Sequence, residues 1–141
     1  MDDLQLVRNE LAAWNEKNRD TWLEFYSDKS TFDVPGGVRL EGLDGARMFW
    51  GGYQDAFPDN RVVERRLFGQ DGQVLVEGVF EGTHAGPLPT PDGQIIEPTG
   101  RPVRIPFSLI YLVETGVITG HILYFDQMEM LTQLGLLDTA S

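Results

Sequence analysis

Few side chains in this chain can move a proton, and their neighbours say which ones are worth following. There are two histidines, His84 and His121, and no cysteine. His121 lies in the run Val-Ile-Thr-Gly-His-Ile-Leu-Tyr-Phe at 117–125. If Val117, Thr119, His121, Leu123 and Phe125 share one face, as strand alternation requires, the imidazole stands in a mostly apolar row. Such a ring is either a hydrogen-bonded core residue or a group that transfers protons near neutral pH. Asp33 is the second candidate: it sits among β-formers at 30–34, just before Pro35-Gly36-Gly37. Desolvation beside Phe32 and nearby aromatics would raise its pKa toward that of a general base, and the alternative is a turn or cap role. Asp126 reads as structural instead. With Glu129 three residues on, ahead of Met130, Leu131 and Leu134, it forms a capping-box pattern, and Gly135 supplies the helix stop.

Composition narrows the partners. The chain has 141 residues, 22 acidic against 11 basic, and a formal charge of −11. One domain spanning 1–141 is expected, since a chain of about 150 residues hides roughly 70% of its unfolded surface. The acidic balance disfavours nucleic acid and anionic membrane surfaces. Absence of cysteine removes disulfides, thiolate catalysis and cysteine metal sites, and fits a cytoplasmic setting. Two distant histidines without a carboxylate set argue against a metal. The first residues carry acids where a signal peptide needs bases, and no run approaches the roughly 20 apolar residues of a membrane span.

These groups must be held by elements that the periodicity outlines. Leu4, Val7, Leu11 and Trp14 make a helical stripe that Asp2 or Asp3 can cap. Asp20 can cap a short second helix with Trp22, Phe25 and Tyr26 inward. A short strand at 30–34 follows. A third helix over 45–57, capped by Asp44, presents Phe49, Trp50 and Tyr53 on one face, where they pack or line a cavity mouth. From Asn60 the period changes to two. Strands at 61–68 and 73–84 pair around a turn at 69–72, and strands at 103–114 and 117–125 pair around Thr115-Gly116. Pro106 cannot donate to a ladder and marks an edge or bulge. The proline-rich connection 85–101 is too long for a hairpin loop and reads as a rim or lid. His84, at its start, orders this loop or touches a ligand, and Arg101 is expected to tether it to a carboxylate. The class is α+β: a curved, mostly antiparallel sheet wrapped around N-terminal helices, with a C-terminal helix. Such a half-cone leaves an apolar cavity between its layers. Val62, Leu67, Leu75 and Val79 would leave apolar surface on the open sheet face, which predicts a homodimer.

The sequence also resembles a known family over almost its whole length. The residues that carry the likeness are Phe32-Asp33-Val34-Pro35-Gly36, Phe57-Pro58-Asp59, Gly82-Thr83-His84-Ala85-Gly86-Pro87, Pro98-Thr99-Gly100-Arg101, and Tyr124-Phe125-Asp126 with Gln133-Leu134-Gly135-Leu136. They are similar to the SnoaL-like polyketide and ester cyclases of the nuclear transport factor 2-like superfamily, cone-shaped α+β barrels. The resemblance implies cofactor-free chemistry on a small organic molecule, often a ring-closing aldol step. The family's acid/base pair is a histidine and an aspartate two residues apart on the last strand. His121 matches the histidine, and the aspartate position is Leu123. Leu109 and Phe107 occupy the facing strand, where many relatives place polar groups. Asp33 matches the base of the related ketosteroid isomerases, nine residues before Gly42, whereas Leu109 and Asn9 fall where those enzymes hold their oxyanion partners. Two functions follow. In an enzyme, Asp33 abstracts a proton α to a carbonyl, His121 donates to the oxyanion, and Trp50, Tyr53, His84, Phe107, Leu109 and Leu123 contact an apolar substrate. In a carrier, the cavity binds a small molecule and performs no chemistry.

Overall fold

An apolar stripe on an otherwise polar segment buries itself only as a helix, and α1 (Asp3–Asn15) does so with Leu6, Val7, Leu11 and Trp14 in the core. Asp2 caps it, its Oδ1 accepting from the Gln5 amide at 2.8 Å. The structure, a computed structural model, describes residues 2–137. α2 (Arg19–Leu23) is shorter than the aromatic spacing suggests, and Asn18 rather than Asp20 caps it, accepting from Thr21 N at 3.2 Å. Asp20 lies inside the first turn, where its charge suits the helix dipole.

The next segment holds a strand that the sequence conceals. β1 (Thr31–Val34) turns through Gly36 and Gly37, both left-handed at φ 100° and 75°, into β2 (Val38–Glu41). α3 (Gly42–Gln54) then begins two residues ahead of Asp44. Glu41 occupies the capping position without a side-chain bond, and Asp44 instead pairs with Arg47 at 3.0 Å.

The long strands are β3 (Arg61–Gln70), β4 (Gln73–Thr83), β7 (Pro102–Glu114) and β8 (Val117–Phe125). Each hairpin turns on two consecutive positive-φ residues, Asp71-Gly72 and Thr115-Gly116, whose twist matches that of paired strands. The curved six-stranded sheet runs β2-β1-β8-β7-β4-β3, antiparallel except where β1 lies parallel to β8. Within 85–101, β5 (Leu88–Pro89) and β6 (Ile95–Ile96) form a small separate hairpin. α4 (Gln127–Gln133) closes the fold, capped by Asp126, whose Oδ1 accepts from Met128 N at 2.9 Å and Glu129 N at 3.1 Å. Gly135, at φ 76°, ends that turn.

The main core fills the space between α1–α3 and the inner face of the sheet, and a second cluster joins Phe57, Leu88, Ile105, Met130 and Leu134. Val62 and Leu67 face inward against the main core, and Val79 is buried, so of the four residues expected on the open face Leu75 alone stays exposed. Phe68 and Leu112 join it there. Pro106 lies one residue beyond the last β7–β8 pair, Phe107↔Phe125, so β7 is an edge on that side there, while on its other side Pro106 stays opposite Val79 of β4. None of the helices among the described residues is long and apolar enough to cross a membrane.

Candidate active site

Strict alternation along β8 would bury Thr119 and His121 and expose Ile118. The register prevents this: Val113 pairs with Ile118 and Leu112 with Gly120, so Thr119 is an extra residue, a β-bulge. The bulge resets the phase, and Ile118 and His121 both turn inward, at 0% and 2% exposure. The imidazole meets Phe49 edge-on at 4.6 Å between ring centroids, Phe32 at 5.0 Å and Tyr111 at 5.3 Å. Its Nδ1 has no hydrogen-bond partner. Burial pushes its pKa down to about 3, so the ring is neutral at physiological pH.

Beside His121 lies a cavity of about 60 Å³ whose walls come from every layer. α1 contributes Leu11 and Trp14, α3 Phe49 and Tyr53, β7 Phe107, Leu109 and Tyr111, β8 Leu123 and Phe125, and α4 Met130. The lining is almost wholly apolar. The other ionisable group besides His121 and the tyrosines is Glu10, also 2% exposed. Its Oε2 accepts from Trp22 Nε1 at 2.8 Å and Tyr26 Oη at 2.5 Å, and its Oε1 from Tyr111 Oη at 2.9 Å. Desolvation raises the carboxyl to about 7 against the pull of these three donors. Glu10 escapes a reading of the sequence focused on strands, although one signal points to it: an acid stands on the apolar stripe of α1, between Val7 and Leu11. Among the described residues no three His, Asp or Glu side chains converge to hold a metal.

The family model of the SnoaL-like polyketide cyclases matches residues 4–134. The chain belongs to that family. A comparison with curated proteins gives no match. Among solved structures, a candidate SnoaL-like polyketide cyclase from Jannaschia sp. CCS1 superposes with a TM-score of 0.80 at 19% identity, covering 98% of each chain. IdmH, a candidate polyketide cyclase from Streptomyces antibioticus, gives 0.75 at 24% identity, covering 93% of this chain and 96% of its own. A protein of ketosteroid isomerase-like fold from Catenulispora acidiphila, solved with trimethylamine, gives 0.75 at 19% identity over 96% of each chain. At these identities the structures attest the fold.

In this SnoaL-like domain the expected site residues separate into two groups. His121, Tyr53, Phe107, Leu109 and Leu123 line one cavity. Asp33, Trp50 and His84 do not. Phe32 is the β1 residue opposite His121, so its neighbour Asp33, opposite Ile122, belongs to the other face of the sheet. There it makes a two-pronged pair with Arg39, Oδ1 to Nε at 2.6 Å and Oδ2 to Nη2 at 2.9 Å. This pairing holds the carboxyl below its ordinary range, the reverse of what a base needs. Trp50 is core, wedged against Trp14 and Trp22 at 5.1 and 5.2 Å.

His84 anchors the long loop. Its Nδ1 accepts from the Thr99 amide at 3.1 Å, its ring lies against Phe57, and its backbone bonds Gly100 and Arg101. Arg101 makes no ion pair with a carboxylate among the described residues; its guanidinium lies over Gly135 at the end of α4, where the helix dipole favours a cation.

Proposed function

We propose that this SnoaL-like protein is a cofactor-independent cyclase or isomerase that acts by acid–base chemistry on an apolar, carbonyl-bearing small molecule of polyketide type. The observation that carries this reading is His121, a neutral imidazole with an unpartnered nitrogen on the wall of a largely apolar cavity. A neutral ring of low basicity serves best as a hydrogen-bond donor to a carbonyl oxygen on its way to becoming an oxyanion, and a dry site strengthens that bond. Phe107, Leu109 and Leu123 exclude water and shape the bound molecule. Typical ligand pockets hold about 300–1,000 Å³. The 60 Å³ cavity thus has to widen for a polyketide, with flexible Met130 in its wall the side chain best suited to yield.

A carrier without chemistry is the second reading, supported by Leu123 in the position of the family aspartate. Purified protein incubated with linear poly-β-ketone substrates, followed by mass spectrometry and absorbance, separates the two. The enzyme reading expects ring closure or double-bond migration, slowed roughly 10²-fold or more in His121→Phe. Binding without turnover, at an affinity unchanged in that variant, would establish the carrier instead.

A further inference from the structure

The apolar stripe of α1 does not account for Glu10. A carboxyl placed inside a helix–sheet core is costly unless it is bonded, and three donors converge on this one, Trp22 from α2, Tyr26 just after it and Tyr111 from β7. They do not saturate it. A carboxylate offers about four lone-pair positions. Oε2 uses two and Oε1 one, which leaves Oε1 open. Glu10 lines the same cavity as His121, and Tyr111 touches both, its hydroxyl on Oε1 and its ring edge-on to the imidazole.

We propose that Glu10 is the base of this site, accepting at Oε1 the proton from the carbon next to a carbonyl that His121 polarises. The proposal rests on the acid–base reading above and supplies the base that Asp33 cannot provide. The carbon–hydrogen bond breaks, its electron pair moves into the carbonyl to give an enolate held by the imidazole N–H, and the proton rests on the Glu10 carboxyl. It then returns to another carbon, in an isomerisation, or to the alkoxide formed when the enolate carbon closes on a second carbonyl. No oxidant or co-reactant is needed. A carboxyl held near 7 is divided between its two forms at neutral pH, so it can both take and return a proton. The titratable groups around it are Tyr26 and Tyr111, bonded to it, and His121 and Tyr53 on the cavity wall. The ion pair of its own helix, Arg8–Glu64, lies at the surface.

Exchange of the α-hydrogens of cyclopentanone in D2O, followed by proton NMR, reports the first step without the natural substrate. Wild-type protein should accelerate exchange with a rate that rises through a midpoint near 7. Glu10→Gln should lose roughly 10²-fold. Tyr111→Phe keeps the base but removes a donor to its charged form, so its midpoint should move upward. A structural Glu10 would not produce that shift. Exchange in Glu10→Gln as fast as in wild type, with His121→Phe slow, would overturn Glu10 and leave the acid–base reading standing. No acceleration by wild type over heat-inactivated protein would overturn both. Should Glu10→Gln fail to fold, an unmoved midpoint in Tyr111→Phe overturns the proposal.

Discussion

A buried carboxyl and a buried imidazole in one cavity oppose each other as pH changes. His121 is held at about 3 against an ordinary 6.5, so the folded state carries fewer protons than the unfolded one, and stability falls as pH drops from 6.5 toward 3. His84, lowered by burial too, adds to the same slope. Glu10 runs the other way. Raised from 4.5 to about 7, it withdraws stability as pH rises through that interval. Between 4.5 and 6.5 the Glu10 slope offsets one histidine's slope, each about 1.4 kcal/mol per pH unit. Glu10→Gln should therefore gain stability with pH across this window by about that amount per unit relative to wild type, as read by urea denaturation. A slope identical to wild type would show that Glu10 is ionised throughout. That His121 is buried is legible in the sequence, because a ring among apolar β-formers falls on the inner face of the sheet. Glu10 is harder to read because an acid on a helix usually marks its solvated side; its place on the apolar stripe of α1 is the one local signal, and its partners Trp22, Tyr26 and Tyr111 become visible only in the fold.

Among the elements, the short helix α4 closes one side of the cavity through Met130. Met130 projects from it into the cavity wall, and Gln133 fastens it by replacing a missing strand: Oε1 accepts from Arg104 N at 2.7 Å and Nε2 donates to Arg104 O at 3.0 Å. Gln133→Ala should cost about 1 kcal/mol. Amide exchange should quicken in α4 and at Arg104, while the centre of the β7–β8 pair keeps its protection. Equal exchange at α4 in both proteins would mean that its apolar contacts alone hold it. The sequence shows the helix, its Asp126 cap and its Gly135 stop because those signals are local. It does not show the bulge at Thr119, which arises from pairing with β7, nor β2, which its glycine turn and short polar–apolar run disguise as a loop. The misplacement of Asp33 follows from the same blindness: which face it takes depends on β1 lying against β8, a pairing that local pattern cannot register.

For the whole molecule, part of the exposed apolar surface lies on the outward side of the sheet, where Phe68 and Leu75 face each other across β3 and β4 at 61% and 38% exposure. We propose that the homodimer expected from the sequence forms through this patch. Two chains of charge −11 repel, so association should tighten as salt rises and screening lengths shrink. Sedimentation equilibrium should give twice 15.8 kDa at high salt, and Phe68→Lys the single mass. A single mass for wild type at every salt concentration would remove the dimer.

The placement of β8 has one more outcome, in the time taken to fold. This strand lies between β1 and β7, so the hairpin of β1 and β2 joins the sheet only through it, by pairs such as Phe32 with His121. Close to two thirds of the chain must be looped before that contact forms, and contacts so distant in sequence slow the search for the native state. A ribosome-bound chain that has not yet released residues 117–125 can pair β3, β4 and β7 but leaves the inner helices without their last wall. On the ribosome the wall that carries the imidazole emerges after β3, β4 and β7 and is followed by α4 with its Met130, so the site is among the last parts of the fold that can be completed.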